Sequence, residues 1–182
     1  GNVIVPLAFE SISTQPPPGK PDKPLPEYVS KNTIGGFTPA GGQFLFGMGA
    51  LVPIERIGVN VAGVGHLNSN LDEDGAVRYE PLVIDYFGQQ FPSLSLLIAA
   101  RSLNLGPKDV KVSLGENVKV GGKTIRTDDA AQMYTYFYKD RDGRPAFQPD
   151  SFYDVITGKI PAAKYADKIV LTGRKRQDKT YY

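Results

Sequence analysis

His66 is the chain's one histidine, and cysteine is absent. A lone histidine without thiolates builds a standard transition-metal site only if several carboxylates join it. Counting residues leaves a Ser-His-Asp triad open, but no Gly-x-Ser-x-Gly elbow is present to supply the nucleophile. A histidine hydrogen-bonded at a strand end is the plainer reading. Downstream, Asn70-x-Asp72-x-Asp74-Gly75 spaces oxygen ligands as the first half of an EF-hand calcium loop does. The twelfth position is Pro81, which cannot give the bidentate carboxylate, and neither flank reads as a helix. A solvated turn is favoured over a calcium site. Arg78 offers a two-pronged fork to a carboxylate, either a ligand's or that of a neighbour such as Asp74. Tyr134, Tyr136 and Tyr138 would stand on one face of a strand, lining a pocket or covering the core edge. The candidate ligand-binding residues are therefore His66, Asn68, Arg78, Tyr134 and Tyr136. No catalytic residue, metal ligand or cofactor is assigned. Asp128-Asp129 and Asp140-Arg141-Asp142 read as exposed turn charges, and Arg174-Lys175-Arg176 with Lys179 as a solvated basic loop. Gly35-Gly36 and Gly41-Gly42 only superficially resemble a phosphate loop, since no Gly-Lys-Ser/Thr follows.

The totals narrow the function classes. A net charge of +2 gives no reason to expect nucleic acid as a partner. The absence of cysteine removes disulfides, thiolate zinc sites and a cysteine nucleophile, and leaves the redox compartment open. No apolar run approaches the roughly 18 residues of a membrane span, and no signal peptide is visible. The abrupt start on Val3-Ile4-Val5-Pro6 suggests a trimmed fragment. Glycine (20) and proline (15) are abundant, but ten tyrosines and nine phenylalanines oppose a disordered composition.

The elements that must position these residues form a mixed α/β (α+β) single domain. It has a central mixed sheet, one prominent covering helix and several hairpins. Val3 to Phe9 predicts a buried strand, and the proline-rich stretch from Ser13 to Pro26 an extended surface loop. Phe44 to Ile57 is interrupted by Gly47, Gly49 and Pro53, which leaves only a helical turn at Pro53 to Ile57. Gly63 to Asn68 and Ala76 to Tyr86 read as two strands around a tight Asp74-Gly75 turn. Pro92 to Leu105 predicts a helix stopped by Gly106-Pro107, with Leu97 and Ile98 fully buried. Val110 to Val112, Val118 to Val120 and Thr124 to Arg126 form a meander. Gln132 to Tyr138 predicts a tyrosine-rich strand, closed by Asp142-Gly143. Ser151 to Asp154 has the form of a capping box opening a helix that ends at Gly158, and Lys168 to Gly173 reads as a buried, central strand.

One ordered set of segments carries a family resemblance. It runs from Asn2-Val3-Ile4-Val5-Pro6 through Gly65-His66-x-Asn68 to Asp72-x-Asp74-Gly75-x-Val77-Arg78-x-x-Pro81-Leu82. It continues with Phe91-Pro92-Ser93-Leu94-Ser95-Leu96, Phe147, Ser151 and Asp154-Val155-Ile156-x-Gly158-Lys159-Ile160-Pro161, and ends at Lys168-Ile169-Val170-Leu171-x-Gly173. The set resembles the type-two CHASE sensor domain (cyclase and histidine-kinase associated sensing extracellular). The resemblance implies that residues 1–182 are a single bacterial sensor domain, truncated at both ends relative to the family. It implies an extracytoplasmic (periplasmic or cell-surface) position on the cytoplasmic membrane, in a membrane-anchored parent protein. The implied output is an adenylate or guanylate cyclase, a histidine kinase or a serine/threonine kinase, with the sensor itself non-catalytic. No general ligand is established for the family, so no residue role carries over. The signal is a small molecule or a protein, and a homodimer is open. Two alternatives stand beside this one: a periplasmic interaction or dimerisation module and, more remotely, a hydrolase.

Overall fold

The structure, a computed structural model, describes residues 2–139, 141–142, 144 and 146–173. The basic run at Arg174–Arg176 and the glycine of Asp142-Gly143 lie outside the described residues. Along the chain come β1 (Ile4–Ser13), α1 (Glu27–Ser30), β2 (Phe37–Pro39), β3 (Leu45–Leu51), α2 (Glu55–Gly58) and β4 (Gly63–His66). Then follow β5 (Tyr79–Pro81), β6 (Val83–Tyr86), β7 (Gln89–Pro92), α3 (Leu94–Ser102), β8 (Val110–Leu114), β9 (Asn117–Val120), β10 (Lys123–Arg126), β11 (Gln132–Tyr134) and α4 (Phe152–Ile156). Single 3₁₀ turns lie at Pro107–Asp109 and Ala162–Tyr165. The chain divides into two compact units, residues 1–136 and 137–182.

The first unit holds a five-stranded sheet in the order β4-β1-β3-β6-β7. It is mixed: β1 runs parallel to β4 and antiparallel to β3, and β3 runs parallel to β6. A four-stranded sheet, β10-β9-β8-β2, and a two-stranded ribbon, β11-β5, complete the unit. The expected meander is present as β8, β9 and β10. Val110, Val112, Val118 and Val120 alternate into one core cluster with Leu82, Leu96 and Ala100. Leu7, Phe9, Val64, Ile84 and Phe91 anchor a second cluster on the five-stranded sheet.

Several first-unit elements differ from the sequence reading. The two strands flanking Asp74-Gly75 do not pair with each other. β4 pairs with β1, at register Ile4↔Gly63, and β5 pairs with β11. Burying all four β4 residues requires a strand neighbour on the core side, and a surface turn does not supply one. The turn itself is real: Gly75 N–H donates to Asp72 O at 2.8 Å, and Gly75 has φ +77. β3 was not read as a strand because of its glycines. A Cβ at Gly47 would lie 2.5 Å from Phe9 Cγ, so glycine is what lets the Phe9 ring pack across the strand.

The covering helix exists but is shorter and differently phased. Pro92 ends β7, and Ser93 is the N-cap, its Oγ accepting from Leu96 N–H at 3.2 Å. The helix stops before Gly106-Pro107. Asn104 adopts φ +60, Leu105 N–H donates to Ala100 O, and Asn104 N–H donates to Arg101 O. This is a Schellman closure with Asn at C′. Leu96, Leu97 and Ala100 are buried, whereas Ile98 is only half-buried. The tyrosine strand is also shorter, because β11 lasts only as long as its three-residue partner β5.

In the second unit the expected Ser151 cap is present. Its Oγ accepts from Asp154 N–H at 3.4 Å, α4 follows, and Gly158 has φ +76. Lys168 to Gly173 is not a strand, and its side chains are exposed. A strand needs a ladder partner for its backbone groups, and no described strand pairs with this segment.

Candidate functional site

The acidic turn and Arg78 form a closed ion triad. Arg78 Nη2 lies 2.6 Å from Asp74 Oδ2, while its Nη1 donates to Asp74 Oδ1 at 2.8 Å and to Asp72 Oδ2 at 2.7 Å. Ala76 N–H donates to Asp74 Oδ1 at 3.1 Å. The Arg78 guanidinium, and then the Ala76 amide, hold the Asp74 carboxyl below its usual range. The guanidinium pKa rises in turn, chiefly because of Asp74. These groups stand in solvent, so the triad shapes the turn more than it stabilises the fold. Both prongs of the fork are satisfied within the chain. No group of three or more potential metal-binding side chains occurs among the described residues.

Arg78 and Tyr134 are brought together. Arg78 O accepts from Thr135 N–H at 2.8 Å, one residue beyond the Tyr79↔Tyr134 pair of the β5–β11 ribbon. The Tyr79 and Tyr134 rings meet edge to face with centroids 5.6 Å apart. Tyr134 is 64% exposed and Tyr136 78%, so neither ring fills a cavity, and the Tyr134 ring lies on the ribbon against Tyr79. Asp128 sets the ribbon's entry turn. Its Oδ1 accepts from Ala130 N–H and Gln132 N–H, and its Oδ2 accepts from the Gln132 amide at 3.0 Å. Against the expectation of an exposed turn charge, Asp128 is half-buried and organises the turn.

His66 and Asn68 belong to a different neighbourhood, the β1–β4 ladder. His66 is buried, with its ring 6.3 Å from that of Phe9. The expected hydrogen bond is absent: neither ring nitrogen finds a partner among the described residues. Burial pushes its pKa down to about 3, so the ring is neutral. Asn68 grips a backbone. Its Oδ1 accepts from Phe9 N–H and its Nδ2 donates to Phe9 O, each at 2.8 Å. The side-chain amide thus continues the ladder where β4 has ended. The buried Asn32 does the same on the other side of β4, accepting from Val64 N–H at 3.1 Å. Its Nδ2 donates to Tyr28 O and Val29 O of α1, and nothing in the local sequence marked its third partner, 32 residues away.

A cleft of about 590 Å³ opens between α1 and α2, lined by Pro26, Glu27, Tyr28, Lys31, Glu55 and Val59. Tyr28 is fixed in its wall. Its OH donates to Pro53 O at 2.6 Å, and its ring lies against Gly58, where any side chain would clash. None of the residues selected from sequence lines this cleft. The four-residue helices behind it leave too short a periodic pattern to read.

The family model of the CHASE2 domain matches residues 6–179. The chain belongs to the CHASE2 domain family. No curated protein and no solved structure matches it. CHASE2 is a family of extracellular sensory domains found in signalling proteins, which gives this CHASE2 domain a sensor role and supports an extracytoplasmic location. The structure explains why the family is legible in its motifs while a ligand is not. In this CHASE2 domain, Gly65, Asn68 and Ser93 build the junction of β4, β1 and α3, while Leu96 anchors α3 in the core cluster of β8 and β9. A Cβ at Gly65 would lie 2.9 Å from the Leu94 Cα. These residues hold the fold together, and the cleft lies outside them.

Proposed function

We propose that this CHASE2 domain perceives a signal for a bacterial membrane-bound signalling protein. Its cytoplasmic output is an adenylate or guanylate cyclase, a histidine kinase or a serine/threonine kinase. Residues 1–182 act as one sensor domain on the periplasmic or cell-surface side of the cytoplasmic membrane, and the parent protein carries the anchor. The observation that carries this reading is the family match over nearly the whole chain. A signal works only by binding two states of the domain unequally, because equal binding shifts nothing. The test uses the intact parent protein, with output measured while small molecules or proteins are applied outside. Output that responds in the parent and loses its response on deletion of residues 1–182 supports the reading. A response that survives the deletion overturns it.

A specific observation favours a second reading, an interaction or dimerisation module. Phe147, Phe152, Tyr153, Ile156, Ile169, Val170 and Leu171 are each more than half exposed, and no described residue of 137–173 is buried. Apolar side chains exposed at this density mark surfaces that meet other molecules. Cysteines placed at Ile156 and Leu171 of the parent protein test this second reading: cross-links from both positions to a protein support it, and the absence of any cross-link overturns it.

A further inference from the structure

We infer that the cleft between α1 and α2 binds a small zwitterion carrying an ammonium and a carboxylate on an apolar body, as a free amino acid does. The inference rests on the sensor reading and names the ligand class for it. The cleft is open to solvent on one side, and its volume of about 590 Å³ has room for a small molecule. Its lining carries charges of both signs beside apolar side chains. Glu27 and Glu55 come from the two facing helices, Lys31 lies one turn beyond Glu27, and Pro26, Tyr28 and Val59 provide the apolar surface. Glu27 and Lys31 stand at the i, i+4 spacing at which such residues commonly pair on a helix. Among the described residues they form no ion pair, and neither does Glu55. An ammonium has three donors and takes two carboxylates at once, whereas a lysine supplies a point charge to an anion. A zwitterion therefore uses all three charged groups; a simple amine would leave Lys31 against it, and a simple acid would face two carboxylates. The Tyr28 ring is pinned by Pro53 and Gly58, so this wall is formed before the ligand arrives.

The experiment titrates leucine, isoamylamine and 4-methylpentanoate separately into the full chain and reads binding by calorimetry and by changes in amide NMR shifts. Saturable binding of leucine is expected, with each half-molecule about tenfold weaker or worse. Glu55→Gln and Lys31→Met should each weaken leucine at least about tenfold. All three charged residues are exposed, so these variants fold, and their melting temperature serves as the check. Three results overturn the inference: no saturable binding of leucine at millimolar concentration, equal binding of the amine or the acid alone, or unchanged binding in both variants. The sensor reading fails independently of this one. Output that responds to some other signal leaves it standing when leucine does not bind, and leucine bound in the cleft without any change of output counts against it.

Discussion

His66 and Asn68 are neighbours in sequence with opposite energetics. His66 has no partner for its ring nitrogens among the described residues and stays neutral because burial makes the charged form costly. Its folded pKa of about 3 lies below the ordinary 6.5, so the unfolded chain takes up the proton first as the medium is acidified. Stability from this residue is complete above about pH 6.5 and is lost as pH falls toward 3, at up to about 1.4 kcal/mol per pH unit. Denaturant titrations between those pH values should show a shallower slope for His66→Leu than for the natural chain. Equal slopes would mean that His66 is not buried neutral. Asn68 makes two hydrogen bonds to one backbone residue. Asn68→Ala strands both Phe9 groups and should cost roughly 1–3 kcal/mol, read from the urea midpoint. The sequence identified these two residues as worth notice, but it could not show that one clamps a strand 59 positions earlier.

At the level of elements, local signals were read well and distant pairing was not. The capping serine at 151 and the alternating valines of β8 and β9 are set by neighbours within a few residues, and they stand as expected. The helix was found from its apolar stripe, but its phase was misjudged because Leu94 to Ala100 is apolar at nearly every position. Burial resolves the phase, with Leu97 inside and Ile98 at the margin. Leu97→Ala should therefore destabilise by about 2–5 kcal/mol, and Ile98→Ala by roughly half as much. Thermal or urea unfolding checks the pair, and equal losses would contradict the observed helix rotation. The parallel partnership of β4 with β1 joins segments about sixty residues apart, a relation no turn signal encodes. The glycines of β3 read as interruptions when the sequence is taken alone, because the Phe9 ring that needs the space comes from another strand.

Over the whole molecule, composition and order of motifs gave the mixed α/β class and the family. The cleft stayed hidden because two short helices joined by folding line it, and neither carries a motif. Lys168 to Gly173 was misread for the converse reason. Its apolar residues have strand propensity, but propensity alone supplies no neighbour. With Ile156 64% and Leu171 77% exposed, Ile156→Glu and Leu171→Glu should each shift stability by no more than about 0.5 kcal/mol. A loss of several degrees in melting temperature would show that these side chains are covered in the isolated chain.

At Gly65 the strand β4 and the first turn of α3 meet backbone to backbone, with no side chain between them. Most helix–sheet contacts are cushioned by interdigitating side chains whose rotamers take up small displacements. Here that compliant layer is missing. At this point a shift of β4, or of β1 laddered to it, has no side-chain layer to absorb it before it reaches the start of α3, as in a machine joint assembled without a gasket. Gly65→Ala would insert such a spacer and force the two elements apart, changing the mechanical coupling of the sheet to its helix without touching the cleft.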